Sequence, residues 1–300
     1  MQNKVIEEEI EATPSPSAFR VILREFLKDR VAIVSLAIAL IIILGALIGS
    51  FFVSADQVTS VNILNRYLAP GQDGFILGTD EGGRDLFKYL ILATRNSVFI
   101  GVSVALLVEF IGVVVGTISG YYGGRVDSSI MRIVDFWMVL PSFLIIIVLV
   151  TIVPSYSPVI LILIMTAFSW MTTVRLVRSQ VLSQAKREYV MASKTSGTSN
   201  FKIMFAEVLP NISSIIITDL TITIAASIGI ETGLSFLGFG LPANTPSLGT
   251  LIGYATNPEI ITNRPWVWLP AALVLLVLSL SINFVGQALR RAADARQRRG

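Results

Sequence analysis

EYVMASKTSG, residues 188–197, interrupts two long apolar runs and is neither apolar enough to enter a membrane nor long enough to be a domain. It reads as a two-turn helix, with Gly197 where a left-handed glycine would stop it. A second short helix, Asn200 to Val208, is expected next, and Leu209-Pro210-Asn211 then opens the following run with a proline suited to a first turn. The stretch therefore presents a helix flat against the surface from which two apolar segments depart.

Those segments set the class of the chain. The 300 residues are 53% hydrophobic and only 14% charged, against about 25% charged in an ordinary soluble domain. Runs near 31–53, 97–119, 130–153, 159–173, 212–239 and 266–284 read as spanning helices, each matched to a hydrocarbon core of about 30 Å; the fourth is short and extends toward Arg178. The expectation is an all-α membrane protein of six transmembrane helices. With both termini in the cytoplasm, all but five of the 23 basic residues fall inside, the exceptions being Arg66, Arg84, Lys88, Arg95 and Arg264. That asymmetry is the positive-inside pattern. The basic tail after Arg290 is read as setting topology, not as binding nucleic acid.

Residues 1–18 are acidic and then Pro/Ser-rich, as a disordered cytoplasmic tail would be. Residues 19–30 alternate bases with Phe, Val and Leu, which suits an interfacial helix on the cytoplasmic surface. A membrane domain over 31–290 follows, with the short helix within 186–200, and 291–300 form a basic cytoplasmic tail. An amphipathic helix carrying Leu86, Leu90, Ile91 and Val98 on one face leads into the second span.

Several chemistries are excluded. There is no cysteine and no histidine, so disulfides, thiol chemistry and imidazole metal sites are out. No G-x-x-x-x-G-K-[ST] cradle occurs, so the chain is not itself an ATPase. Ser235 has no base to activate it, and no H-E-x-x-H is present.

Charges within the apolar runs are costly and turn toward protein or water. Arg132 and Asp135 are expected to pair locally, three residues apart on one helix. Glu109 and Glu231 lie deeper, open between a packing hydrogen bond and a place on a substrate or gating path. LGTDEGGRD, 77–85, lacks the D-x-D-x-D-G spacing of a calcium loop. Thr79 or Asp80 is expected to cap the amphipathic helix, with Gly82 and Gly83 in the turn and Arg84 tying the carboxylates together. Gly233, Gly238 and Gly240 either allow tight helix packing or let a gate bend.

Three stretches in order resemble one family over about residues 20–290. EYVMASKTSG followed by LPN is similar to the cytoplasmic signature of ABC importer permeases, an E-A-A triplet, three residues, a glycine and a downstream L-P. Met191, Ala192 and Ser193 stand at the triplet, Gly197 at the glycine, and Leu209 and Pro210 at the L-P, with Met191 and Ser193 departing from the pattern. LGTDEGGRD resembles the L-G-T-D-x-x-G-R-D of peptide and nickel importer permeases, carried here by Gly78, Thr79, Asp80, Gly83, Arg84 and Asp85. ETGLSFLGFGLPANTPSLG, 231–249, is similar to that group's E-T-x-L-S-F-L-G-x-G and S-W-G, with Leu248 at the tryptophan.

The resemblance implies a type I ABC importer permease fold and the C-type subunit of a peptide importer in a bacterial or archaeal cell membrane. It implies a B-type permease partner, two ATPase subunits holding ATP and Mg, and an extracytoplasmic substrate-binding protein, with no cofactor in this chain. Glu188, Tyr189, Met191, Ala192, Ser193 and Gly197 would then form a coupling helix gripped by an ATPase. The outer signature would gate, and Glu109, Glu231, Ser235 and Gly238 are pathway candidates. Nickel chelates and oligosaccharides are other cargoes of that family. A proton-coupled secondary transporter relaying through Glu109, Asp219 or Glu231 is the rival from another class.

Overall fold

The computed structural model describes residues 23–153, 157–242 and 244–297. The expected tail over 1–18, the first part of the interfacial segment and the end of the basic tail lie outside them. Among the described residues every regular element is helical, apart from one isolated bridge between Thr79 and Asp85.

Residues 23–26 are helical, and the chain then turns before α1 (Arg30–Gly49). Asp29 caps α1, accepting from the N–H groups of Val31 (3.0 Å) and Ala32 (3.2 Å). Its other oxygen takes a 2.6 Å bond from Arg291, which holds the carboxyl below its usual range. Ala32, Ser35, Ala39 and Ala46 form the buried face of α1. Small residues there admit the last helix, α12 (Leu269–Gln297), whose Leu278, Ile282, Val285 and Ala288 pack against them.

Beyond the short α2 (Ala55–Thr59), the amphipathic segment and the second span prove to be one continuous helix, α3 (Leu86–Tyr122). At 1.5 Å per residue its 37 residues extend about 55 Å, more than the bilayer core needs, so one end stands clear of it.

The third span is not straight. It is α4 (Gly124–Val139) and α5 (Ser142–Ile152), bent by 76°. Pro141 removes an N–H and forces Leu140 out of the helical region to ψ 134°. The fourth is likewise α6 (Pro158–Ala167) and α7 (Met171–Gln184), bent by 47° and reaching past Arg178. Trp170 Nε1 takes up the Ala167 carbonyl freed at that bend, at 3.0 Å. Among the described residues, four helices are thus long and apolar enough to cross a membrane, or up to six spans if each bent pair is one.

α3 and α7 share the closest packing. Gly112, Gly116 and Gly120 form one ridge of α3, and a side chain there would strike Thr173, the Val174 carbonyl and the Arg178 carbonyl of α7. Charges bind α4 to α7. Asp127 takes Arg178 and accepts from Ser119 at 2.6 Å, while Asp135 pairs with Arg175. The expected Arg132–Asp135 pair is replaced because α7 brings Arg175 to the carboxylate. α8 (Glu188–Thr195) follows, and then a helical turn, Asn200–Lys202, passes through a π turn, Ile203–Val208, into α9 (Leu209–Phe236). The expected separate helix over 200–208 is therefore the lead-in of the span. Pro210 lacks an N–H and its ring crowds the carbonyl four residues back, which accounts for the wider turn. α10 (Leu248–Gly253) and α11 (Pro258–Asn263) close the end of the molecule opposite α8.

Candidate functional site

Residues 188–197 form the helix expected of them. α8 ends in a Schellman motif: the Thr198 N–H bonds the Ser193 carbonyl (3.0 Å) and the Gly197 N–H bonds that of Lys194 (3.1 Å). Gly197 has φ +78° with nothing within 4 Å of where a Cβ would stand. The conformation, not space, selects glycine here.

The two faces of α8 differ. Val190 is fully buried among Tyr121, Val181, Ile203, Met204 and Val208. Tyr189 donates to Gln184 (3.2 Å), and Ser193 donates to Glu207 (2.7 Å). The Lys194 ammonium lies 4.6 Å from the Tyr121 ring centre, and Tyr121 donates to Asn200 at 2.8 Å. These contacts tie α8 to α3, α7 and the root of α9. Glu188, Met191, Ala192 and Thr195, spaced i, i+3, i+4 and i+7, are exposed. Met191 is 60% exposed, and Phe201, in the turn after α8, is 71% exposed. Leu209 and Pro210 sit behind it, at the start of α9.

The second constellation lies at the opposite end. Asp80 is fully buried; its Oδ1 accepts from the N–H groups of Gly82 (2.8 Å) and Arg84 (2.9 Å). The Tyr254 hydroxyl donates to Oδ2 at 3.3 Å, and Arg84 lies 3.5 Å away. Burial and the nearby Asp80 carboxylate push the Tyr254 phenol up, so it remains a donor. Thr79 accepts from Leu68 N–H (2.8 Å) and donates to the Asn65 carbonyl. Gly78 and Gly83 take positive φ against the carbonyls of Leu68 and Asn62. The helix cap is Asp85, which accepts from Phe87 (3.0 Å) and Lys88 (3.2 Å). Thr79 and Asp80 do not cap because both are spent closing their own loop. Arg84 ties down Asp80, while Lys88 pairs with Asp85 at 3.6 Å.

Glu231 pins the chain returning from α9. Its Oε1 accepts from Ser235 (2.7 Å) and Ser247 (2.8 Å), and Ser247 in turn caps α10 through Gly249 N–H (3.1 Å). Ser97 on α3 accepts from Leu248 N–H at 3.3 Å. Gly238, at φ +84°, ends α9 with the same cap as Gly197, and Gly240 folds back where a side chain would strike Ser235. Gly233 makes no tight contact. Leu248 is fully buried.

A third set lies deeper. Glu109 on α3 faces Asp219 on α9, which accepts from Thr173 of α7 at 2.9 Å. Among the described residues, both oxygens of the buried Glu109 carboxylate lie without a geometric hydrogen-bond partner. Asp219 opens on a cavity of about 510 Å³ whose wall includes Ser142, Ser169, Thr172, Thr173 and Thr223. Glu109 and Glu231, named together from sequence, thus occupy separate sites. The α3 glycine ridge was missed, although its regular four-residue spacing was visible.

The described residues thus combine span-length apolar helices with one two-faced surface helix packed against three of them. The family model described as "Binding-protein-dependent transport system inner membrane component" matches residues 112–299, and "N-terminal TM domain of oligopeptide transport permease C" matches residues 17–70. The chain belongs to the family of binding-protein-dependent transport system inner membrane components: it is a multi-pass, non-catalytic permease subunit of an ABC importer, a class that works with ATPase and further permease partners.

Among its relatives, oligopeptide transport system permease protein OppC of Lactococcus lactis subsp. lactis is 50% identical over 91% of this chain and 93% of that protein. OppC of Bacillus subtilis is 37% identical over 91% and 88%, and dipeptide transport system permease protein DppC of the same organism 37% over 92% and 85%. Membership in an ATP-driven family sets aside the proton-coupled secondary transporter.

Proposed function

We propose that this chain is the C-type permease of an importer of di- and oligopeptides, crossing the membrane six times with both termini in the cytoplasm. Each bent pair counts as one span in this reading, and the charge asymmetry sets the orientation. The oligopeptide and dipeptide permeases among the relatives support peptides over nickel chelates or oligosaccharides. A related B-type permease would supply the other half of the pathway, two ATPase subunits would carry ATP and Mg, and an extracytoplasmic binding protein would deliver cargo. This chain holds no cofactor in this reading.

The observation that carries the mechanism is the two-faced α8. Glu188, Met191, Ala192 and Thr195 offer an ATPase an unencumbered surface. Val190, Ser193 and Lys194 connect the same helix to α3, α7 and the root of α9. Force applied to the exposed face would pass through these contacts to three spans. The polar cavity at Asp219 lies along two of those elements, so movement of α7 against α9 reshapes it. We assign it to the pathway wall, with Glu109 behind it and Glu231, Ser235 and Gly238 holding the outer return.

Affinity purification from native membranes tests the assembly. Recovery of a second permease with P-loop ATPases, and ATP-dependent uptake of a labelled tripeptide after reconstitution, is the expected result. Recovery of the chain alone, active without ATP, contradicts it.

A further inference from the structure

Arg95 is a cation that the importer mechanism does not use. It lies on α3, half-buried, at the edge of a cavity of about 480 Å³ that also touches Leu47, Ala55, Phe99, Pro158 and Pro246, a volume in the range of ligand sites. Two of its donors, Nε (3.1 Å) and Nη2 (2.8 Å), converge on Asn96 Oδ1. Asn96 is itself fixed by donating to the Pro246 carbonyl at 2.8 Å. The guanidinium is thereby oriented with donors to spare, and among the described residues no carboxylate pairs with it. Arginine held this way matches a phosphate group.

Below the cavity the exposed large side chains are apolar. Phe99, Leu106 and Phe110 share one exposed face of α3, and Leu40, Leu44 and Leu47 share one exposed face of α1. Leu47 and Phe99 both line the cavity. α1 and α3 run in opposite directions here, so both stripes descend from it toward the other side of the membrane. Seven residues of helix cover roughly 10 Å, most of one leaflet of a hydrocarbon core about 30 Å thick. Leu47 in the last turns of α1 and Pro158 at the start of α6 place the cavity at headgroup depth.

We propose that this cleft holds one anionic phospholipid, its phosphodiester on Arg95 with no headgroup cation beside it, and an acyl chain between the Phe99 stripe of α3 and the Leu47 stripe of α1. A cargo carboxylate would suit the charge but not the apolar cleft, which is separate from the hydroxyl-lined cavity at Asp219. Calling the leaflet the outer one rests on the proposed orientation; the lipid site itself does not.

The test is native mass spectrometry of the full transporter complex, extracted from vesicles of phosphatidylcholine doped with phosphatidylglycerol and progressively delipidated. Wild type is expected to retain one phosphatidylglycerol per copy of this chain. Retention falls about tenfold in Arg95→Gln, the loss of one charge-assisted pair, and is partly kept in Arg95→Lys. Ala55→Phe, which fills the cavity and leaves Arg95 intact, displaces the lipid and gives the answer should Arg95→Gln fail to assemble. Equal retention in wild type and Ala55→Phe, no preference over phosphatidylcholine, or no retained lipid in the assembled complex would overturn the proposal. The last result would mean that a partner helix fills the cleft.

Discussion

Replacing Gly197 isolates the geometry on which coupling depends. The residue sits at φ +78° in open space, so a new side chain meets no neighbour and the penalty is confined to the backbone. A left-handed conformation costs an ordinary L-residue about 1–2 kcal/mol, more for a β-branched side chain, and least for asparagine, which visits this region readily. In the free permease a strained end relaxes by fraying, since Glu188, Ala192 and Thr195 are exposed. Gripped by an ATPase, the helix must keep its end. The penalty therefore falls on docking, where 1–2 kcal/mol is a factor of roughly 5–30. Proteoliposomes titrated with limiting ATPase subunits should show this loss of apparent affinity in Gly197→Val, an intermediate loss in Gly197→Ala, and a change of no more than about threefold in Gly197→Asn. Membrane insertion should be unaltered. Wild-type coupling in Gly197→Val would refute the reasoning, as would equal loss in the valine and asparagine variants, which would point to the side chain instead of φ.

Two further outcomes follow from packing. Gly116→Leu drives a side chain against the Val174 carbonyl and Val177; backbone cannot yield as a side-chain tip can, and the expected loss is about 3 kcal/mol or more, seen as failure to remain assembled in detergent. Gly45→Leu, with nothing within 4 Å, is the tolerated control, and equal behaviour would mean that α3 and α7 do not pack so closely. At Glu231, glutamine keeps an oxygen for Ser235 and Ser247, whereas alanine strands both buried hydroxyls at about 1–3 kcal/mol each. Thermal unfolding should therefore separate Glu231→Ala sharply from Glu231→Gln, and similar melting of the two would remove the carboxylate from its place as the pin of the outer return.

The legible parts of the sequence were those governed by local rules. α8 and its terminal glycine were readable because a helix of eight residues and a Schellman cap are decided within the segment itself. The apolar runs were readable because hydrocarbon thickness sets their length. The bends were not placed, although Pro141 was in view, because a run of apolar residues looks the same straight or folded by 76°. Partners across helices were hidden for a related reason. Asp135 had Arg132 within reach in sequence, and only the packing of α4 on α7 brings up Arg175. Thr79 and Asp80 were the candidates for the cap that Asp85 makes, and Asp80 is committed instead to Gly82, Arg84 and, far along the chain, Tyr254.

The chain lacks cysteine, so a single introduced thiol reports on one place. Met191→Cys, on the exposed face of α8, and Leu64→Cys, 92% exposed at the other end of the molecule, can be compared in the assembled transporter with a short thiol-reactive photocrosslinker. An adduct between position 191 and an ATPase subunit, sensitive to ATP and missing at position 64, is the predicted result. An ATPase adduct at position 64, or none at 191 in a complex that still transports, would contradict the account.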